Sequence, residues 1–185
     1  MRRKEGTWMQ RLRVPLGFLC GALFLLFAEP QPLSLAIGGI AAFCGLLLRG
    51  WAAGHIEKNA RLATTGPYAH TRNPLYLGSF LLGFGFTLAG GRWWLALLFG
   101  ALFLGIYLPV MRVEARTLAE LFGAEFDVYA RRVPLFFPRL APYRDERGQT
   151  TKFDSSLYLR YREYRAAMGA LAGWLILLVK ALLVR

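Results

Sequence analysis

Residues 73–111 decide the fold class; they read NPLYLGSFLLGFGFTLAGGRWWLALLFGALFLGIYLPVM. One charge, Arg92, divides this stretch into two charge-free runs, 73–91 and 93–111. At about 1.5 Å per residue, a helix of either length crosses the roughly 30 Å hydrocarbon core of a bilayer. The stretch therefore predicts two transmembrane helices joined by a tight turn at residues 90–92.

Three further apolar runs lie outside this stretch, at residues 14–28, 30–48 and 166–179. The run at 30–48 is long enough to span a bilayer, and the two outer runs reach that length if Arg13 and Lys180 extend their basic ends to the surface. The prediction is an all-α integral membrane bundle of about five transmembrane helices. The short connection at residues 29–32 predicts that the first two helices form an antiparallel hairpin and touch.

The distribution of charge predicts the orientation of this bundle. The chain is 56% hydrophobic, which excludes a disordered chain, and its net charge is +12. With the N-terminus in the cytoplasm, 20 of the 23 Lys and Arg residues fall in cytoplasmic segments, as the positive-inside rule requires. Topology thus explains the basic excess, and no nucleic-acid partner is predicted. We expect a multi-pass protein of the plasma or inner membrane whose N-terminus and active site are cytoplasmic.

Cysteine and histidine residues are too few and too dispersed for a metal site or a disulfide framework. Cys20 and Cys44 lie in apolar runs, and His55 and His70 are the two histidines. No glycine-rich dinucleotide loop, phosphate loop or nucleophile elbow occurs. Three Gly-x-x-x-Gly pairs predict close helix packing: Gly17/Gly21, Gly50/Gly54 and Gly169/Gly173.

A candidate binding site precedes the run at 73–91. Asn73 is a typical helix cap, and Pro74 suits the first helical position, so a helix is expected to begin there. Its N-terminal N–H groups, with Arg72 beside them, form a site for a carboxylate or phosphate. The turn at Gly66-Pro67 is expected to bring Tyr68 back towards this helix end.

A second candidate follows residue 111, where an amphipathic surface helix is predicted. Its apolar residues recur at spacings of three and four: Leu118, Leu121, Phe122, Phe126 and Tyr129. Glu114 lies four residues before Leu118, so its carboxylate is expected to face the core and to need a partner. That partner is either a ligand or, in a structural ion pair, Arg49 or Arg72.

Two motifs resemble those of the isoprenylcysteine carboxyl methyltransferase family, over roughly residues 35–140. The first comprises Gly66-Pro67-Tyr68, Arg72-Asn73-Pro74-Leu75-Tyr76 and Gly78, and the second comprises Glu114, Leu118, Phe122-Gly123, Phe126, Tyr129 and Arg132-Val133-Pro134. Two positions depart from the family pattern. Asn73 stands where the best-known members have His, and Ala115 replaces the second Glu of the second motif.

The resemblance implies a membrane enzyme that transfers a methyl group from S-adenosylmethionine to a lipophilic acceptor or lipid. Carried over by position, the cofactor site would comprise Leu62, Ala63, Tyr68, Arg72, Asn73, Pro74, Leu75, Tyr76 and Glu114. Arg112 and Arg132 are candidates for binding the acceptor. No catalytic base and no metal are assigned, because methyl transfer depends mainly on alignment of the reacting atoms.

One domain is expected over residues 1–185. Residues 1–34 would form an N-terminal helix, 35–140 the family core with the cofactor site, and 141–185 an interfacial segment and the last transmembrane helix. O-methylation of a carboxylate is the first reading of the function, and phospholipid N-methylation is the alternative. A non-enzymatic membrane module that packs through its glycine faces and a nicotinamide-dependent reductase also stay open, and no oligomeric state is predicted.

Overall fold

A computed structural model describes residues 8–56, 61–144 and 151–183. These residues form seven α-helices and one short 3₁₀ helix, with no β-strand among them, so the predicted all-α class is confirmed. The helices are α1 (Trp8–Phe27), α2 (Pro32–Ala53), α3 (Pro74–Ala89), α4 (Trp93–Phe122), α5 (Ala124–Arg132), α6 (Ser155–Arg160) and α7 (Tyr164–Leu183), and the 3₁₀ helix is Gly66–Ala69.

Three of the described helices, α2, α4 and α7, are long and apolar enough to cross a membrane. The run at 73–91, predicted as a full span, forms the 16-residue helix α3. At about 1.5 Å per residue this helix is shorter than the roughly 30 Å hydrocarbon core. Pro74 sets its start and the turn at Gly90-Gly91 ends it.

Helices α2 and α3 form the most extensive helix contact of the fold. A Cβ added to Gly38 would lie 2.3 Å from the carbonyl oxygen of Gly85, and one added to Gly85 would lie 2.5 Å from that of Gly38. Gly45 and Gly78 oppose each other in the same way. The two backbones are therefore in direct, antiparallel contact through glycines spaced seven residues apart on each helix.

The predicted Gly-x-x-x-Gly packing pairs do not make this contact. The prediction is wrong for Gly17, Gly21 and Gly169, because a Cβ at any of them would meet nothing within 4 Å. The other three members face single aromatic side chains rather than helix backbone.

Among the described residues, helix α1 makes its most extensive helix contact with α4, and the contact predicted between the first two helices is not an extensive one. The small-residue face of α2 is already covered by α3. The tight turns at the far end of the bundle are confirmed, and they meet: the backbone N–H of Glu29 donates to the carbonyl of Gly90 at 2.7 Å. Glu29 also pairs with Arg92 across these turns.

Helix α4 continues without interruption through Arg112 to Phe122, so the surface helix predicted beyond residue 111 is the second half of α4 followed by α5. Gly123 separates α4 from α5. Its φ of 53° is a conformation that glycine adopts more readily than other residues. Phe126 and Tyr129 are buried, as predicted, but Leu121 is 51% exposed.

Candidate functional site

The segment before α3 is held in a fixed shape. Gly66 opens the 3₁₀ helix with a φ of 57°, and a Cβ there would lie 2.6 Å from the His55 ring, so both the backbone conformation and the space favour glycine. Pro67, Tyr68 and Ala69 are buried behind this turn. The predicted turn at Gly66-Pro67 is thus confirmed, and it places Tyr68 inside the protein.

Tyr68 has a buried hydroxyl group that lacks a hydrogen-bond partner among the described residues. The residue is only 6% exposed, and its carbonyl oxygen accepts a 2.7 Å hydrogen bond from the hydroxyl of Tyr129. Burial raises the pKa of both phenols above the ordinary value of 10.0. Both phenols therefore stay neutral donors at physiological pH.

The two motifs are joined by hydrogen bonds between residues 71–73 and 134–136. The backbone N–H of Arg72 donates to the carbonyl of Pro134 at 3.0 Å. The hydroxyl of Thr71 donates to the carbonyl of Phe136 at 2.8 Å. Chain segments about 60 residues apart are thereby locked together at the start of α3.

Asn73 occupies the cap position of α3, but its side chain does not cap the helix. Its Nδ2 instead donates to the carbonyl oxygen of Leu135 at 2.9 Å. The predicted capping hydrogen bond is therefore wrong, because a nearby tertiary acceptor competes for the amide. Pro74 is the first helical residue, as predicted, and is buried; Leu75 follows it and is partly buried.

Tyr76 and Glu114 meet directly. The Tyr76 hydroxyl donates to Oε1 of Glu114 at 2.8 Å. Tyr107 lies beside them, with its ring centroid 5.4 Å from that of Tyr76. The first turn of α3 and the C-terminal half of α4 therefore converge on one place, as the two motifs predict.

Glu114 is exposed, so the prediction that it faces the core is wrong. It forms no ion pair with either arginine proposed as a structural partner. Arg49 pairs with Glu163 instead. The Glu114 carboxylate consequently keeps hydrogen-bonding capacity beyond its contact with Tyr76.

Arg72 is partly buried beside the same segment. Its guanidinium lies 5.9 Å from the centre of the Phe126 ring, and its buried Nε has no hydrogen-bond partner among the described residues. Burial lowers the pKa of this guanidinium, but an arginine stays charged near neutral pH. Arg112 and Arg132 are both exposed.

Leu62 and Ala63 lie at the other end of the site. Leu62 is buried against Phe126, Tyr129 and Val133. Both residues line a small pocket of about 50 Å³, together with Gly54, His55, Arg61, Thr64, Thr65, Thr151, Lys152, Asp154 and Leu157. The described contacts connect this end to Tyr68 through Tyr129, rather than directly to Tyr76 and Glu114.

A larger, mostly apolar cavity of about 370 Å³ lies between α1, α3 and α4. Tyr107, which packs against Tyr76, forms part of its wall. The lining residues are Gly17, Cys20, Gly21, Phe24, Ser79, Thr87, Leu95, Leu98, Phe99, Leu102, Phe103, Ile106 and Tyr107. The cavity therefore reaches Tyr107, whose ring separates it from Tyr76.

The profile of the phospholipid methyltransferase family matches residues 35–125, which include most of α2 and all of α3 and α4, together with Tyr68, Tyr76 and Glu114. The chain is therefore similar to this family over that segment. The resemblance to membrane methyltransferases that the two motifs carry is thereby confirmed, and a further relative bears it out. The protein-S-isoprenylcysteine O-methyltransferase of Schizosaccharomyces pombe is 26% identical over 132 residues, which cover 69% of this chain and 56% of that protein.

Two bacterial proteins are similar over comparable lengths. The cobalt-zinc-cadmium resistance protein CzcN of Cupriavidus metallidurans is 35% identical over 153 residues, or 83% of this chain and 62% of that protein. The nickel-cobalt-cadmium resistance protein NccN of Alcaligenes xylosoxydans xylosoxydans is 38% identical over 114 residues, or 60% of this chain and 53% of that protein. The chain thus spans between half and two thirds of each relative's length. No solved structure gives a significant match.

The described residues contain no candidate metal-binding site. Within residues 8–56, 61–144 and 151–183, no group of three His, Cys, Asp or Glu side chains could hold a metal ion. The metals in the names of the two bacterial relatives therefore correspond to no ligand set among the described residues of this chain.

Sequence reasoning missed the ion pair between Arg49, near the end of α2, and Glu163, just before α7. The shortest distance between their charged atoms is 2.8 Å. Opposite charges beside apolar runs were a visible signal, since a charge near a membrane span needs a partner. The sequence offered several candidates for each charge, however, and nothing in the local pattern selected this pair.

Proposed function

We propose that the chain is a membrane methyltransferase that uses S-adenosylmethionine to methylate a lipophilic acceptor. The observation that carries the proposal is the convergence of Tyr76 and Glu114, from the two motifs, beside an apolar cavity. A packing module without enzymatic activity would give no reason for an exposed carboxylate and a tyrosine to meet there.

The side chains present fit this cofactor. The buried Tyr68 hydroxyl and the buried Arg72 Nε are hydrogen-bond donors without partners among the described residues, and the cofactor offers a carboxylate and hydroxyl groups as acceptors. Glu114 can accept from ribose hydroxyls, and the tyrosine rings favour a sulfonium. We propose that the cofactor is held by the residues assigned to it from the motifs: Leu62, Ala63, Tyr68, Arg72, Asn73, Pro74, Leu75, Tyr76 and Glu114.

When bound, the cofactor supplies an electrophilic methyl group on a positively charged sulfur. The protein's part is to hold the acceptor atom in line with that methyl carbon at about 3–3.5 Å, which can contribute roughly 7–11 kcal/mol by orientation alone. In the transfer, the acceptor oxygen bonds to the methyl carbon as the carbon–sulfur bond breaks, and S-adenosylhomocysteine leaves. A carboxylate acceptor has no proton to lose, so this chemistry requires no general base.

We propose that the apolar part of the acceptor binds in the 370 Å³ cavity between α1, α3 and α4. A prenylated or similarly lipophilic carboxylate is our first proposal, with Arg112 and Arg132 as residues that attract its charge. A phospholipid amine is the second candidate, because the matching family is that of phospholipid methyltransferases.

We further propose five membrane spans, formed by α1, α2, α3, α4 and α7, in one domain with the N-terminus and the site in the cytoplasm. Three of these helices satisfy the length and apolarity of a span on their own. Positive charge supports the orientation, since Arg49 and Arg112 lie at the ends of α2 and α4 that flank the site, whereas Arg92 alone marks the opposite turn. We expect residence in the plasma or inner membrane.

Labelled methyl transfer tests the function. The purified protein is incubated with membrane lipid extract and deuteromethyl-labelled S-adenosylmethionine, and the lipids are analysed by mass spectrometry. We expect one lipophilic species to gain the label and the gain to fall at least about tenfold in Glu114→Gln. The matched control is Glu120→Gln, an exposed glutamate on the same helix, which should keep the wild-type rate. If no lipid species gains the label, or if Glu114→Gln retains the full rate, the proposal is wrong.

A further inference from the structure

The turn at residues 161–163, between α6 and α7, lies outside the segment that matches the family. Its Glu163 carboxylate receives hydrogen bonds from Nε of Arg49 at 3.0 Å and from Nη2 of Arg49 at 2.8 Å. The side chains of Glu163 and Arg49 are only 12% and 22% exposed. A pair this buried is costly to separate, because either charge alone would be left unpaired.

Arg49 also connects this turn to α3. Its Nη1 donates to the hydroxyl of Ser79, and that hydroxyl donates to the carbonyl of Leu75 at 2.8 Å. A Cβ at Gly78 would lie 2.7 Å from Cγ of Arg49, so the absence of a side chain there lets the arginine pass along α3. The ion pair thus holds the 161–163 turn against the cytoplasmic half of α3, which carries Tyr76.

The backbone of this turn is strained. Arg162 has a φ of 56°, and it is the one non-glycine residue with a positive φ among the described residues. Such a conformation persists only where surrounding contacts hold it, and such residues occur frequently at ligand sites. Here the holding contact is the adjacent Glu163–Arg49 pair.

The turn also acts electrostatically on Tyr68. Burial is the main cause that raises the pKa of Tyr68, and the charges of Tyr129, Tyr161, Glu163 and Glu114 raise it further. The Tyr68 hydroxyl has no hydrogen-bond partner in the described part of the chain, as expected of a group that serves a ligand.

We infer that Glu163 is a positioning residue of the cofactor site: paired with Arg49, whose guanidinium also hydrogen-bonds Ser79 on α3, it holds the strained 161–163 turn against the first turns of α3. This inference rests on the proposed function, because it takes S-adenosylmethionine as the ligand. It extends the site beyond the two motifs to a segment that neither of them includes.

The affinity for S-adenosylhomocysteine, measured by isothermal titration of the full chain in detergent, tests this inference. We expect Glu163→Gln and Arg49→Gln to weaken binding roughly tenfold, the size of effect that packed contacts transmit. The control is Glu29→Gln, which breaks the exposed Arg92–Glu29 pair at the opposite turns and should leave the affinity unchanged. The melting temperature of each variant is measured alongside, because a purely structural ion pair would lower it without changing the affinity of the folded protein.

Unchanged affinity in folded Glu163→Gln overturns the inference. If that variant does not fold, Tyr161→Leu decides instead: it keeps both charges and removes only the tyrosine ring of the turn, so weaker binding supports the inference and wild-type affinity overturns it. Absence of binding by the wild-type protein would instead refute the proposed function, so the two failures are distinguishable.

Discussion

At the Tyr76–Glu114 contact, two side chains 38 residues apart in sequence come within 2.8 Å. Their meeting was predictable because both belong to motifs at the same end of apolar runs that turn back on each other. The role of Asn73 was not predictable from the sequence. The sequence shows a residue that often caps helices, but it does not show that the carbonyl of Leu135 lies close enough to accept the hydrogen bond of the Asn73 side-chain amide. Local patterns thus locate a polar residue, while tertiary neighbours choose its partner.

The two buried phenols predict an alkaline limit to stability. In the unfolded chain Tyr68 and Tyr129 ionise near the ordinary pKa of 10.0, whereas burial raises both values in the fold. Below about pH 10 both phenols are protonated in the folded and in the unfolded state, so the free energy of unfolding does not depend on them. Above about pH 10 only the unfolded state loses these protons. The free energy of unfolding therefore falls as pH rises, by at most about 1.4 kcal/mol per pH unit for each phenol. Thermal unfolding measured from about pH 9 to pH 11 checks this.

Tyr68→Phe provides the comparison for this alkaline titration. Removal of a hydroxyl group that lacks a partner should cost little stability at neutral pH. The variant should also lose stability less steeply above about pH 10, since one phenol fewer ionises on unfolding. Identical slopes for the variant and the wild type would contradict the assignment of a raised pKa to Tyr68.

Among the elements, the α2–α3 pair shows what a pattern search can miss. A search at four-residue spacing selects Gly17 and Gly21, which pack against nothing in this chain, whereas the glycines in backbone contact recur at a spacing of seven. The apolar runs themselves correctly predicted helices. Which faces of those helices touch depends on how the whole bundle assembles, and the sequence of one helix does not specify that.

Gly85→Ala should destabilise this helix pair. The added methyl would lie 2.4 Å from the backbone nitrogen of Ala42 and 2.5 Å from the carbonyl oxygen of Gly38, neither of which can move without separating the helices. We expect a loss of about 1–3 kcal/mol, typical of an overpacked core, seen as a lower melting temperature in detergent. Gly100→Ala on α4 is the matched control, since nothing lies within 4 Å of a Cβ there, and it should melt as the wild type does. Equal melting of both variants would refute the close approach of α2 and α3.

On the scale of the whole molecule, the bundle brings three distant parts of the chain to one end: the segment at 66–78, the continuous α4–α5 unit, and the turn before α7. The first two follow from the sequence motifs. The position of the turn before α7 does not follow from the motifs, because a long connection between residues 133 and 154 precedes it. The pair between Arg49 and Glu163 fixes that position. An apolar cavity beside this end, and a small pocket lined by both charged and apolar side chains, suit a reaction between a water-soluble donor and a lipid-soluble acceptor.

The most direct measurement is a double-mutant cycle on S-adenosylhomocysteine binding with Tyr76→Phe, Glu114→Gln and the double variant, by isothermal titration of the folded proteins. If the two side chains hold the cofactor as one unit, the wild type binds, each single variant loses roughly tenfold or more in affinity, and the double variant loses little beyond the weaker single variant. No binding by the wild type at millimolar ligand, or wild-type affinity in both single variants, would contradict the assignment of a methyl-donor site to this end of the bundle.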